Sequence, residues 1–177
     1  VGGDVEVSGL LTAPMRSLLD ERHKAKLPVG DSKIWCLNLD QIESHSGKVL
    51  SKLMLKRSEA GPSTYAFNQG TVLYSKLRPY LNKVVVADDD GIATTELVPL
   101  RCDESKIAPS YLAHFLRSAT FLAFASNAVA GAKMPRMVMG EFWSYPVPLP
   151  PLPEQRRIAA ILDQAETLRT QRCTALS

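Results

Sequence analysis

The chain has 177 residues and a mass of 19.4 kDa, enough for one domain with a real core and too little for two full ones. Hydrophobic residues at 45% and charged residues at 22% exclude a disordered or fibrous chain. Lys plus Arg number 21 against 18 Asp plus Glu, so the formal net charge is +3, too mild by itself to announce a nucleic-acid binder. Asp4 and Glu6 precede only a short apolar patch, which does not read as a signal peptide, and no apolar run approaches the roughly 18 residues of a membrane span. Cys36, Cys102 and Cys173 are odd in number and widely spaced, and His23, His45 and His114 are scattered. Neither a disulfide framework nor a zinc knuckle fits, and a cytoplasmic protein with reduced thiols is expected.

Taken in chain order, Arg16 to Arg22 reads as a strand-and-helix lead-in, Ile34 to Leu39 as a short strand, and Lys48 to Leu55 as a weaker one. Thr71 to Leu77 is a strand opened by Gly70; a turn around Pro79 leads to a second over Lys83 to Ala87. Asp88-Asp89-Asp90-Gly91 is a turn, and Ile92 to Arg101 reads as a third strand. Pro109 and Ser110 start a helix whose apolar positions Tyr111, Leu112, Phe115, Leu116, Ala119 and Leu122 carry it to Ser126-Asn127. His114 on it is a surface or core-edge histidine. Ala130 to Arg136 is a loop presenting Lys133 and Arg136, with Met134, Met137 and Met139 as core filler.

The mild total charge conceals an asymmetry. Residues 48–83 hold Lys48, Lys52, Lys56, Arg57, Lys76, Arg78 and Lys83 against Glu59 alone, a local +6, whereas residues 84–110 sum to −4. A phosphate backbone needs such a local patch; the plainer reading is a solvated face. Alternation along the strand puts Tyr74, Lys76 and Arg78 on a side facing solvent or ligand and Leu73 and Leu77 in the core. The candidate contact residues are Lys76, Arg78, Lys83, Lys133 and Arg136, with Tyr74, Tyr80 and Asn82 adding groove or sugar contacts.

Pro146, Pro148, Pro150, Pro151 and Pro153 hold the following segment extended. A helix then starts sharply at Pro153, with Glu154 and Gln155 favourable at its positive end. Ile158, Ile161, Ala165, Leu168, Arg172 and Ala175 follow a 3,4 spacing, a coiled-coil seam broadened by Leu162 and Leu176. So short a helix needs a partner.

The run from Pro148 to Ile158 (PLPPLPEQRRI) and the following Ala160-Ile161-Leu162-Asp163 resemble the junction of type I restriction-modification specificity subunits. Gly70 to Tyr80, Thr95-Glu96 with Leu97 to Leu100, Pro109 to Leu116, and Gly131 to Arg136 resemble the same family in the same order. The resemblance implies an α+β target-recognition domain over 1–150, with a curved, mostly antiparallel sheet and packed helices, and the start of a spacer helix over 151–177. It implies that the chain reads half of a bipartite double-stranded DNA target. Methyltransferase subunits would dock on the helix, a restriction subunit would join indirectly, and a second recognition domain or a second copy would pair through the same helix. S-adenosylmethionine, ATP and magnesium would belong to partner subunits, leaving this chain without cofactor or catalysis. Its helix stops in mid-pattern, which favours a piece of a longer chain over a natural half-subunit.

The residues of an enzyme are scarce. There is no G-x-G-x-x-G, P-loop or G-x-S-x-G, and no Asn- or Asp-Pro-Pro-aromatic motif to hold a target amine. Asp90 with Glu104-Ser105-Lys106 fits the loose spacing of a metal-dependent nuclease, yet acids just before a helix are common for solubility and dipole reasons. A second class of function is a protein-interaction module acting through the Pro-rich segment and heptad helix without DNA.

Overall fold

The computed structural model describes residues 10–20, 25, 32–61 and 63–175. Two sheets and a layer of helices form its body. The first sheet has the order β3–β2–β7–β4, from β2 (Lys33–Leu37), β3 (Leu53–Lys56), β4 (Thr64–Phe67) and β7 (Gly91–Thr94). Its β2–β7 pair is parallel and the other pairs are antiparallel. The second is antiparallel, in the order β6–β5–β8, from β5 (Val72–Ser75), β6 (Val84–Val86) and β8 (Leu97–Leu100). The α+β class with mostly antiparallel pairing is as expected, divided over two packed sheets.

The stretch Ile92 to Arg101 is not one strand. The chain turns at Thr95-Glu96, so β7 pairs in the first sheet and β8 in the second. β4 has no counterpart among the expected strands, and the strand expected over Lys48 to Leu55 forms only from Leu53. Of the lead-in expected over Arg16 to Arg22, only the end of a 3-10 turn over Met15–Leu18 is present, and the strand, β1 (Thr12–Pro14), lies before it; residues 21 and 22 lie outside the described residues.

On the helical side, α1 (Pro109–Arg117) and α2 (Ala119–Asn127) replace one continuous helix. Ser118 is extended and its hydroxyl accepts from the Phe121 amide, capping α2 where apolar periodicity alone runs on. A two-residue hairpin follows, β9 (Val129–Ala130) with β10 (Arg136–Met137), then α3 (Met139–Ser144) and β11 (Pro146–Pro148), which pairs with β1. The last element is α4 (Leu152–Ala175).

β5 lies between two cores. Leu73 joins Trp35, Phe67 and Leu97 between the sheets, while Val72 and Tyr74 join Phe121, Phe142, Leu112 and Leu116 beneath the helices. Tyr74 is 3% exposed, with its ring 4.8 Å from that of Phe142 and 6.0 Å, edge-on, from that of Phe121. Its expected place on a ligand face is therefore corrected: an aromatic on a doubly covered strand is core, and alternation separates inside from outside only where one face is wet. Of the three methionines expected as filler, Met137 is buried and Met134 is exposed.

α4 also turns differently from its heptad reading. Gln155 and Ala159 are buried and Ile158 packs on the helical core, whereas Ile161 (52% exposed), Ala165 and Leu168 (62%) face outward. The face laid on the domain also makes polar contacts. Gln155 Oε1 accepts from the Ala108 amide (2.9 Å), and Nε2 donates to the carbonyls of Lys106 (3.0 Å) and Pro150 (2.9 Å). One turn and more beyond, Asp163 and Glu166 meet His114 and Arg117 of α1. Among the described residues no helix is long and apolar enough to cross a membrane.

Candidate nucleic-acid interface

The turn after β5 is built against backbone preference. Arg78 (φ 48°, ψ 62°) and Asn82 (φ 51°, ψ 49°) both occupy the left-handed region, and Arg78 precedes a proline, which disfavours such compact conformations further. A 3-10 turn over Pro79–Leu81 joins them. Surrounding bonds over-determine it: the Arg78 amide donates to the Pro135 carbonyl (2.8 Å), the His45 amide to the Asn82 carbonyl, and Asn82 Nδ2 to the Arg117 carbonyl (3.1 Å). Non-glycine residues held left-handed cost of order 1 kcal/mol each and gather at functional sites.

These bonds bring the turn onto the β9–β10 hairpin. The Lys76 amide donates to Glu96, the Met137 amide donates to Lys76, and Leu77 bridges Arg136. Gly131 (φ 96°) opens the hairpin loop in a conformation that favours glycine. Lys76, Arg78, Tyr80, Lys133 and Arg136 are thereby gathered at one end of the molecule from two segments more than fifty residues apart. Arg78, Lys133 and Tyr80 (46%) are exposed, and Lys76 is half-buried.

Arg136 does not stand alone. Its Nε lies 3.1 Å from both oxygens of Glu96 and its Nη2 2.7 Å from Oε1, a side-on bidentate pair. Hydrogen bonds from this guanidinium, aided by the positive charges of Arg136 and Lys76, hold the Glu96 carboxyl below its ordinary range.

Three expected contact residues lie elsewhere in role. Asn82 is 5% exposed and its amide is spent on Arg117. The Lys83 ammonium donates to the Leu39 carbonyl (2.6 Å), pinning the 3-10 turn there. Tyr74 is core, its hydroxyl buried with no hydrogen-bond partner among the described residues. Lys48, Lys52, Lys56 and Arg57 are exposed on the approach to β3 and along it, in the other sheet; Lys52 pairs with Asp88 (2.7 Å) and covers the Trp35 ring at 4.6 Å. Sequence reasoning quoted Thr95-Glu96 among the family-like segments but gave Glu96, the lone acid in residues 91–102, no place at the site, and treated Gln155 as a dipole residue, not a buried latch.

Two alternative sites resolve into structural contacts. Lys106 of the nuclease-like pattern pairs with Asp103 (3.1 Å) and donates to the Ser17 carbonyl. His114, Asp163 and Glu166 bring their ligand atoms within 4.8 Å of one another, but the Arg117 guanidinium supplies the positive charge there. Arg117 can only donate, to His114 Nδ1 (3.1 Å) and Glu166 (3.3 Å), so His114 carries its proton on Nε2 and gives it to Asp163 at 2.7 Å.

Comparison with known proteins shows the family and the fold. A type I restriction enzyme specificity subunit of Escherichia coli, EcoDI, is 32% identical over 162 residues, covering 89% of this chain and 36% of the relative. This chain thus spans little more than a third of that protein. By fold alone it resembles the HsdS subunit of Thermoanaerobacter tengcongensis (23% identity, TM-score 0.71, 96% of this chain and 46% of that one). A chain from a structure of type I R-M complex assembly is similar as well (22%, TM-score 0.75, 93% and 45%). The family model for the type I restriction modification DNA specificity domain matches residues 54–175, and the chain belongs to that family.

Proposed function

We propose that the chain is a target-recognition domain, residues 1–150, with the first part of a spacer helix, residues 151–177. It reads half of a bipartite double-stranded DNA site, in the cytoplasm, for methyltransferase subunits that supply S-adenosylmethionine chemistry and for a restriction subunit that uses ATP and magnesium. The observation that carries this reading is the strained Arg78–Asn82 turn held on the β9–β10 hairpin, which gathers Lys76, Arg78, Tyr80, Lys133 and Arg136. Arg78 and Lys133 suit phosphates and Tyr80 a sugar or base face. The outward Ile161, Ala165 and Leu168 stripe of α4 serves assembly, through a second recognition domain or a second copy.

Duplex binding by the full chain, alone and with its methyltransferase partners, tests this as a function of salt. Replacing Lys76, Arg78 and Lys133 together by alanine should weaken binding and flatten the log–log salt slope by about 0.9 for each phosphate no longer neutralised. Wild-type binding that is absent, or that ignores salt, would refute it and leave the interaction-module reading.

A further inference from the structure

We infer that Glu96 is a positioning residue that fixes Arg136 to read a guanine through the end of its guanidinium, an inference that rests on the DNA-reading function above. A guanidinium has two bidentate edges, Nε with Nη2 along its side and Nη1 with Nη2 at its end. Glu96 takes the side edge with both carboxylate oxygens. What remains are the two Nη1 hydrogens and one Nη2 hydrogen, on a side chain 43% exposed beside a carboxylate only 22% exposed. That end edge has the spacing of guanine O6 and N7 in the major groove.

The charge balance points the same way. Glu96 matches the positive charge of Arg136, which lowers its worth to a phosphate, where charge decides. Guanine recognition depends on the fork's orientation, and orientation is what the carboxylate supplies. Both backbones are fixed as well: the Glu96 carbonyl accepts from Lys76, and the strand carrying Arg136 is tied back to Lys76 and Leu77. Arg78 contrasts with this. It is exposed, and among the described residues its side chain has no carboxylate partner, the arrangement of a phosphate contact.

The probe is a pool of DNA duplexes randomised over about ten base pairs, one helical turn, selected on the full chain at low salt. Wild type, Glu96→Gln, Glu96→Ala, Arg136→Lys and Arg78→Ala are compared, each with a thermal melt. Wild type should enrich a motif with one G·C pair whose replacement costs roughly tenfold to a hundredfold. Arg136→Lys and Glu96→Ala should erase the preference at that pair and leave the others, with Glu96→Gln between them and wild type. Arg78→Ala should weaken every sequence alike. If wild type enriches no motif, the DNA-reading function itself fails and takes the inference with it. If a motif is enriched but Arg136→Lys leaves each position intact, the inference alone fails. Variants that melt early and lose the whole motif together would make the pair a fastening of the fold and overturn it too.

Discussion

Gln155 is the residue whose loss should most disturb how α4 leaves the rest of the fold. Its side chain is 1% exposed and makes three hydrogen bonds to backbone groups from two other segments: the Ala108 amide, the Lys106 carbonyl and the Pro150 carbonyl. Gln155→Ala removes all three and strands buried backbone polar groups. At about 1 kcal/mol for each bond the loss is about 3 kcal/mol. For a chain of this size that lowers the melting temperature by about 6–12 °C, at about 2–4 °C per kcal/mol. Gln155→Glu is the sharper variant. It keeps an acceptor for the Ala108 amide but points a carboxylate oxygen at two carbonyls, so at neutral pH it should be no more stable than the alanine variant. Protonation lets it donate to one carbonyl, so its stability relative to wild type should recover as pH falls toward about 5. Thermal melts of the three proteins across pH check this. An alanine variant within about 1 kcal/mol of wild type, or a glutamate variant as stable as wild type at neutral pH, would refute the assignment of a buried, fully engaged glutamine.

Arg78→Gly should relieve the left-handed strain while loosening the unfolded chain, leaving the melting temperature within about 4 °C of wild type, yet it should weaken duplex binding. A large destabilisation would show that the side chain holds the turn. The Glu96 carboxyl is lowered from its ordinary 4.5 by hydrogen bonds from Arg136. A group depressed on folding stabilises above its unfolded value and loses that contribution as pH falls through the folded one. The Arg136 Nε–H resonance should therefore keep its paired shift from neutral pH down past 4.5 and change only in stronger acid; a midpoint at or above 4.5 would contradict the bidentate pair.

Much of the helical layer is legible in the sequence because it obeys one local rule at a time. Pro109 at the start of α1, the apolar spacing through Leu116 and the proline-led start of α4 are short-range signals. The break at Ser118 escapes such a reading because Ala119 and Leu122 continue the period, and only the cap geometry separates the helices. The strands are hidden where pairing is long-range. Nothing local to Thr95-Glu96 says that the chain changes sheets there, and nothing in Val72-Leu73-Tyr74-Ser75 says that both faces will be covered. The heptad seam of α4 is real as a pattern, yet the domain takes the neighbouring face, where a buried Gln155, Asp163 hydrogen-bonded to His114 and Glu166 ion-paired with Arg117 dock it.

The candidate site shows why a charge run is a weak guide to a charged surface. Of the seven cations in residues 48–83, Lys83 is engaged by a carbonyl, Lys52 by Asp88 and Trp35, and the cations along β3 belong to a different sheet from Arg78. Only Lys76 and Arg78 join the cluster, and they do so with Lys133 and Arg136 from a segment of ordinary charge. Two backbone bonds, Arg78 to Pro135 and Met137 to Lys76, make that junction. Its one acid, Glu96, subtracts from the electrostatic sum while adding orientation. A reader of bases needs both kinds of cation: some left exposed to meet any phosphate, and at least one restrained so that it meets only one kind of base edge. On the proposed reading, the exposed Arg78 and Lys133 are of the first kind, and the folded pairing of Glu96 with Arg136 supplies the second.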